Sequence, residues 1–284
     1  MAHQNIILDG IDHGAPERSG SRFCNEGKWD NFIKPLLPKE CSEMTFVEYG
    51  SNAGLFLRLA KEYSFYNVVG VERDKRDCEL SKKYLDSFNI DHRIIEAQMS
   101  PDFDFKLLPL ADVTLLANFH YHQSIGEFLH ILDKLETKSC YVIVVSVKDV
   151  FKGRHWRAQP NEEDIMVYFK NWEFIKTIKD IPSDGDVHPR EMFSMLFKSS
   201  KIKRVPSDVL SSGEEHESVR SRKLNFIKDV ISGKCQDETI SDIFTNGICE
   251  PVIINRDGVL VDGYHRLSIN NLKHKTIIAR TFHE

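Results

Sequence analysis

The chain of 284 residues holds six cysteines, and no two of them form a C-x-x-C pair. Cys24, Cys41, Cys78, Cys140, Cys235 and Cys249 lie far apart, which argues against a zinc knuckle, a thioredoxin-like motif and a dense disulfide framework. Reduced, mostly buried thiols are the expectation, and no metal ligand set is expected. Long apolar runs are missing as well. The most apolar stretch, Tyr141 to Val147, is far short of the roughly 20 residues that span a bilayer. Met1 to Gly10 lacks the charged-then-apolar order of a secretory leader, so the expected location is the cytoplasm. A surplus of cations is also absent: the net charge is -5, whereas phosphate capture draws on an excess of Lys and Arg, so nucleic acid is an unlooked-for partner. With 41% hydrophobic and 29% charged residues, and no stretch biased to a few residue types, the composition is that of a globular chain rather than a disordered or fibrous one. A prior of about 150 residues per domain suggests two domains.

Between Thr45 and Val147 short β-rich runs alternate with helical periodicity, the signature of βαβ units in a parallel sheet covered by helices. Strands are expected at Thr45 to Tyr49, Asn67 to Glu72, Asp112 to Asn118 and Cys140 to Val147. Two more, Trp172 to Ile178 and Glu191 to Phe197, flank the turn-rich Pro182 to Asp186. Ile125, Phe128, Leu129, Leu132 and Leu135 recur at helical spacing and predict the inward face of a crossover helix. The basic, serine-containing stretch Ser199 to Arg204 breaks the pattern, and the domain boundary is placed at 205/206. Beyond it come a helix with Val219, Leu224, Ile227, Val230 and Ile231 inward, a strand from Val252 to Asn255 and an Asp257-Gly258 turn into Val259 to Val261. A last helix begins near Tyr264 and a last strand runs from Thr276 to Arg280. The expected fold class is α/β: a Rossmann-like doubly wound sheet over 1–205, and a smaller α+β domain over 206–284.

The most informative loop is Val47-Glu48-Tyr49-Gly50-Ser51-Asn52-Ala53-Gly54, which follows an expected strand and opens an expected helix, Leu55 to Tyr63. Glycines at 50 and 54 allow close backbone approach to a ligand at the carboxyl end of the strand, the usual ligand position in a doubly wound sheet. The spacing is not G-x-G-x-x-G, which disfavours a dinucleotide, and no G-K-[ST] ending is present, which excludes a P-loop. Glu48 before the first glycine and Glu72 at the end of the next strand suit a ligand that carries an ammonium group and a ribose diol.

On Glu48, Gly50, Gly54 and Glu72 the chain resembles the class I S-adenosylmethionine-dependent methyltransferases, and the resemblance implies S-adenosylmethionine as cofactor with its ribose on Glu72. Asn52 stands where that family usually has a third glycine, and Asn tolerates left-handed backbone. Asp112 to His122 resembles the fourth-strand motif of tRNA wobble-uridine carboxymethyl-transferring enzymes and of the methyltransferase half of O-antigen chain-terminating kinase/methyltransferases. Both place a Trp-Asp or similar pair ahead of the first motif, as Trp29-Asp30 stands here. The resemblance covers about 19–200. It implies Asn118 and Gln98 as further cofactor contacts, Gln98 for the adenine, and His122 as the catalytic base, against a role in shaping the cofactor pocket alone. After the fifth expected strand, Arg154, Trp156 and Arg157 lie in a loop over the expected acceptor position, where they would bind a phosphate or sugar phosphate unless the loop is simply a solvated charged one.

The last part of the chain, with Gly247 to Ile254, Asp257-Gly258 and above all Val261-Asp262-Gly263-Tyr264-His265-Arg266-Leu267, resembles the ParB/sulfiredoxin-like domain over 206–284. That resemblance implies phosphate binding by Asp262, Gly263, His265 and Arg266 at a helix start, with ATP or another nucleotide and Mg as the ligand. Ser211 to His216 resembles the acidic segment of free-serine kinases of this fold, and the resemblance implies Glu214 or Glu215 as the carboxylate that activates an acceptor hydroxyl, with Glu215 the expected catalytic residue. A degenerate domain kept for folding or dimerisation is the competing reading. No cysteine precedes His265 in the motif and no helix-turn-helix unit follows it, which argues against sulfinic acid repair and against a partition protein.

The function expected from the sequence is methyl transfer from S-adenosylmethionine to an oxygen of a small molecule, a glycan or a phosphate, coupled to a ParB-like unit that binds nucleotide or acts as a kinase. The alternative is a nucleic-acid-associated modification or partition-type nucleotide-binding protein. A non-catalytic cofactor sensor is the third reading.

Overall fold

The structure, a computed structural model, describes residues 4, 6–13, 25–119, 123–149, 161–180 and 190–207, and in the last part of the chain 210, 226–234, 236–238, 240, 241, 243, 248, 250–255, 259–270, 274 and 276–281. It divides into two compact units. The first comprises Met1–Phe103, Val113–Lys134 and Tyr141–Lys198; the second comprises Asp104–Asp112, Leu135–Cys140 and Ser199–Glu284. The longest piece of the second unit starts at Ser199, within the stretch Ser199 to Pro206 in which the sequence pattern breaks.

A seven-stranded sheet dominates. In chain order its strands are β3 (Thr45–Tyr49), β4 (Asn67–Glu72), β5 (Arg93–Glu96), β6 (Ala111–Ala117), β7 (Ser139–Asp149), β8 (Glu173–Asp180) and β9 (Arg190–Lys198). Their spatial order is β5-β4-β3-β6-β7-β9-β8. Pairs β3/β4, β3/β6 and β4/β5 are parallel, whereas β9 runs antiparallel to both β7 and β8. The order reverses at β3, between β4 and β6, which is the topological switch point where ligands of open α/β sheets bind, at the carboxyl ends of the strands.

The strands are the apolar, β-branched runs that parallel strands buried on both faces require. Val68, Val69, Val71, Val113, Leu115 and Val142 to Val145 are essentially inaccessible. Helices α2 (Leu55–Glu62), α3 (Lys75–Ser87), α4 (Ile125–Leu135) and α5 (Glu162–Tyr168) accompany the strands. Asp74 caps α3, accepting from the N–H groups of Arg76 and Asp77, and Asn161 with Asp164 forms a reciprocal capping box on α5. Ahead of β3, α1 (Asn25–Lys28) leads into a π turn, and there Trp29 is buried beside the rings of Phe46, Phe56 and Tyr63. The indole is thus a core side chain.

The inward face of α4 is rotated from the expected one. Phe128, Ile131, Leu132 and Leu135 are buried, whereas Ile125 is 60% and Leu129 40% exposed. Period counting gave Ile125 and Leu129 the same weight as their neighbours, but packing selects the 128/131/132/135 stripe. Several elements had no sequence expectation, among them four strands. The hairpin β1 (Ile7–Leu8) and β2 (Ile11–Asp12) turns at Asp9-Gly10, both at positive φ as a tight primed turn requires. Short β5 carries Arg93 and Glu96 at its ends. Strand β10 (Ile202–Pro206) lies in the stretch read as a basic break.

In the second unit β10, β11 (Val252–Ile254), β12 (Leu260–Asp262) and β13 (Thr276–Thr281) form a four-stranded sheet in the order β10-β13-β11-β12. Its core gathers Leu210, Val252, Ile254, Leu260, Leu267, Ile277 and Ala279, and a second cluster joins Ile227, Val230, Ile240 and Ile269. Helix α6 (Tyr264–Asn270) follows β12. The basic look of β10 has a structural cause: Arg204 donates from Nε and Nη2 to both oxygens of Asp112, which is 2% exposed. Pro206 is tolerated because β10 is an edge strand.

Candidate functional site

The loop between β3 and α2 is pinned across the switch point by the end of β4. The N–H groups of Gly50 and Ser51 both donate to the carbonyl of Val71, at 2.8 and 3.2 Å, and the Asn52 N–H donates to Glu72 Oε2 at 2.9 Å. Asn52 adopts φ +47, left-handed backbone that Asn tolerates better than most residues. Both polar atoms of its side chain are engaged: Nδ2 donates to Asp77 Oδ2 at 2.8 Å, and Oδ1 accepts from the Gln4 N–H at 3.1 Å.

Two glycines are required by space. Gly54 opens α2 at φ +83, and a Cβ there would collide with the Ser81 hydroxyl. Gly70 in β4 lies under the loop, where a Cβ would stand 2.5 Å from Ser51 Oγ and 2.8 Å from Leu57 Cδ1. Any side chain at 70 would lift the loop off the sheet.

The two acidic strand ends differ in how they are satisfied. Glu72 accepts from three backbone N–H groups, those of Asn52, Arg73 and Asp74. It therefore ties the loop to the start of α3. Glu48 is 1% exposed, its Oε1 accepts from Gln4 Nε2 at 3.4 Å, and its Oε2 is buried with no hydrogen-bond partner. Burial raises the pKa of Glu48 well above the ordinary glutamate range, and the neighbouring Glu72 raises it further; Lys28 and the Gln4 hydrogen bond offset part of this. Asp77 is raised in the same direction, first by burial and then by Asp74 and Glu72. The site is thus a concentration of carboxylates around one buried, unsatisfied acceptor, an arrangement that favours a cationic group.

At the end of β6, Asn118 sits at φ +57 with its N–H on the carbonyl of Val145 and its Oδ1 buried without a partner. The next ring, Phe119, is buried, packs on Tyr49 at 6.0 Å between centroids and lies 3.8 Å from where a Gly50 Cβ would be. The Ala97 N–H bonds to the carbonyl of Glu72 and carries the chain past the end of β4; Gln98 is exposed there and Met99 is buried. Glu48, Gly50, Asn52, Gly54 and Glu72 therefore form one connected site, with Gln98 and Asn118 on the segments that leave β5 and β6. His122, Arg154, Trp156, Arg157 and Glu215 lie outside the described residues.

Gln4, Gly70 and Asp77 belong to this site without having been expected. Asp77 had a signal, since Asp74-x-x-Asp77 marks a helix start beside a ligand loop. Gln4 had none. Cys41, Cys78 and Cys140 are buried free thiols, as expected, and burial with the charge of Glu72 pushes Cys78 up to about 11. Among the described residues no cluster of three or more His, Cys, Asp or Glu could hold a metal ion, and no helix is long and apolar enough to cross a membrane.

In the second unit Gly263 has φ +100 ahead of α6. The Arg266 guanidinium is engaged: Nη1 donates to the Pro251 carbonyl at 2.8 Å, Nη2 to Asp262 Oδ2 at 2.7 Å, and Glu250 Oε2 lies 3.5 Å from Nη1. Asp262 and Arg266 are thus partners of each other. The side chain of His265 lies outside the described residues.

No protein-family model and no curated protein matches the chain. Solved structures do. An N-methyltransferase, NodS from Bradyrhizobium japonicum, is 14% identical, with 55% of this chain and 85% of that one covered at a TM-score of 0.45. A SAM-dependent methyltransferase from Methanosarcina mazei is 12% identical, with 59% and 96% covered at 0.46. The N-terminal domain of EvdMO1, solved with SAH bound, is 12% identical, with 69% and 90% covered at 0.48.

Proposed function

We propose that the first unit binds S-adenosylmethionine at the β3–α2 loop and transfers its methyl group to an acceptor oxygen. The observation that carries this reading is the buried, unpartnered Oε2 of Glu48 inside a loop anchored by Glu72 at the switch point of a doubly wound sheet. An ammonium group there removes the penalty of the orphaned acceptor, and the carboxylates of Glu72 and Asp77 favour positive charge in the same region. Glu72 uses three acceptor positions on backbone donors, and a carboxylate offers about four, so capacity for a ribose hydroxyl remains. Asn118 Oδ1 offers a second unpaired acceptor.

When bound, the cofactor supplies an electrophilic methyl group on a sulfonium. The chain's part is to orient it, to exclude water and to hold the acceptor in line behind the methyl, which is where most of the acceleration in such a transfer arises. His122, four residues beyond Asn118, is the group we assign to accept the hydroxyl proton; Arg154, Trp156 and Arg157 are assigned to the acceptor, a small molecule, glycan or phosphate. No observation favours a phosphotransferase in the second unit, where Arg266 donates to Asp262 and to the Pro251 carbonyl.

Native mass spectrometry of freshly purified protein tests the reading. A mass increment of S-adenosylmethionine or S-adenosylhomocysteine, lost in Glu48→Gln, supports it; a wild-type chain that acquires neither when both are supplied in excess overturns it.

A further inference from the structure

Gln4 lies far from the loop in sequence, yet it is 8% exposed and spends every polar atom described for it on the site. Its N–H donates to Asn52 Oδ1 at 3.1 Å, its Oε1 accepts from the Leu55 N–H at 2.9 Å, and its Nε2 donates to Glu48 Oε1 at 3.4 Å. Leu55 is the first residue of α2, so the amide oxygen supplies the cap that Gly54 cannot. One residue thus joins the helix start, the left-handed Asn52 and the acidic Glu48 near the end of β3: its backbone N–H binds Asn52 and its side chain binds Leu55 and Glu48. The β1–β2 hairpin follows directly, and the His13 N–H to Ile6 carbonyl bond at 2.9 Å closes its base.

We infer that Gln4 is a positioning residue for the methyl donor: by donating to one oxygen of Glu48 it orients that carboxylate and favours its ionised form, leaving the other oxygen for the donor's ammonium group. This rests on the function proposed above. The groups acting on Glu48 are Glu72, which opposes its charge, and Lys28 and Gln4, which favour it; the only hydrogen bond it accepts among the described residues is the one from Gln4. Removing the donor leaves both carboxylate oxygens unsatisfied, and the group then takes up a proton more readily. A neutral Glu48 no longer attracts an ammonium.

Titration of S-adenosylhomocysteine into wild type, Gln4→Ala and Gln4→Glu at several values over about pH 6 to 8 separates the outcomes. Gln4→Glu keeps an acceptor for the Leu55 N–H but replaces the donor with a second carboxylate, so it distinguishes capping from donation. The inference predicts that both variants bind at least tenfold more weakly than wild type at the acidic end, and that in Gln4→Ala the deficit shrinks as pH rises and Glu48 ionises. Thermal unfolding, followed alongside, identifies any variant that fails to fold, and Gln4→Glu then decides alone. Wild-type affinity in Gln4→Glu, or a deficit in Gln4→Ala that does not change with pH, overturns the positioning role and leaves Gln4 as a helix cap. A wild-type chain that binds no S-adenosylhomocysteine at any pH overturns the function it rests on instead.

Discussion

Glu48, the penultimate residue of β3, and Glu72, the last of β4, lie on neighbouring parallel strands, and the charge of Glu72 pushes the pKa of Glu48 upward while Glu72 itself is held by three backbone N–H groups. The pair divides two tasks. Glu72 builds the loop, and Glu48 keeps an acceptor oxygen free at a cost in stability.

That cost is measurable. The folded pKa of Glu48 lies above its unfolded value, so its contribution to stability is greatest while it stays protonated. It declines as pH rises from about 4.3, the unfolded value, through the raised folded value. Glu48→Gln removes the buried charge and the decline together. Chemical denaturation at pH 7 is expected to show the variant more stable than wild type by about 1 kcal/mol, with the difference vanishing toward pH 4, while cofactor binding is lost.

Glu72→Ala takes the acceptor from the N–H groups of Asn52, Arg73 and Asp74. The loop then keeps only the Asn52–Asp77 bond to α3, and calorimetry with S-adenosylhomocysteine is expected to show affinity reduced at least tenfold, about 1.4 kcal/mol. Denaturation of the same variant should show a loss of about 2 kcal/mol, because one buried and two partly exposed donors are left for water to satisfy.

Gly54→Ala places a Cβ at φ +83 against the Ser81 side chain. Equilibrium unfolding is expected to show a loss of about 1–3 kcal/mol, the range for a non-glycine residue forced into left-handed backbone.

Asp112→Ala leaves the Arg204 guanidinium, only 18% exposed, without its paired carboxylate. Breaking one partner of such a pair costs about 3 kcal/mol or more. The expected result is a lowered unfolding midpoint, with the double variant Asp112→Ala/Arg204→Met recovering part of the loss because no unpaired charge remains.

Much of this architecture is legible in the sequence because buried parallel strands are continuous apolar runs: Thr45–Tyr49 and Asn67–Glu72 are bounded in the structure as the sequence predicts them. The loop glycines and both acidic strand ends follow from the strand–loop–helix context. What periodicity could not see is determined by contacts distant in sequence. Arg204 makes β10 look like a linker because its partner Asp112 is 92 residues away. Gln4 reaches Glu48 across 44 residues and leaves no trace in composition or spacing. Gly70 owes its identity to Ser51 and Leu57, which lie against it from 19 and 13 residues away.

The most direct test of the account is isothermal titration of S-adenosylhomocysteine into the full chain and into Glu48→Gln. Saturable binding at one site per wild-type chain, with affinity reduced at least tenfold in the variant, is the predicted result; equal affinity in both proteins, or no binding by the wild type, contradicts the assignment of the buried Glu48 carboxylate to the methyl donor.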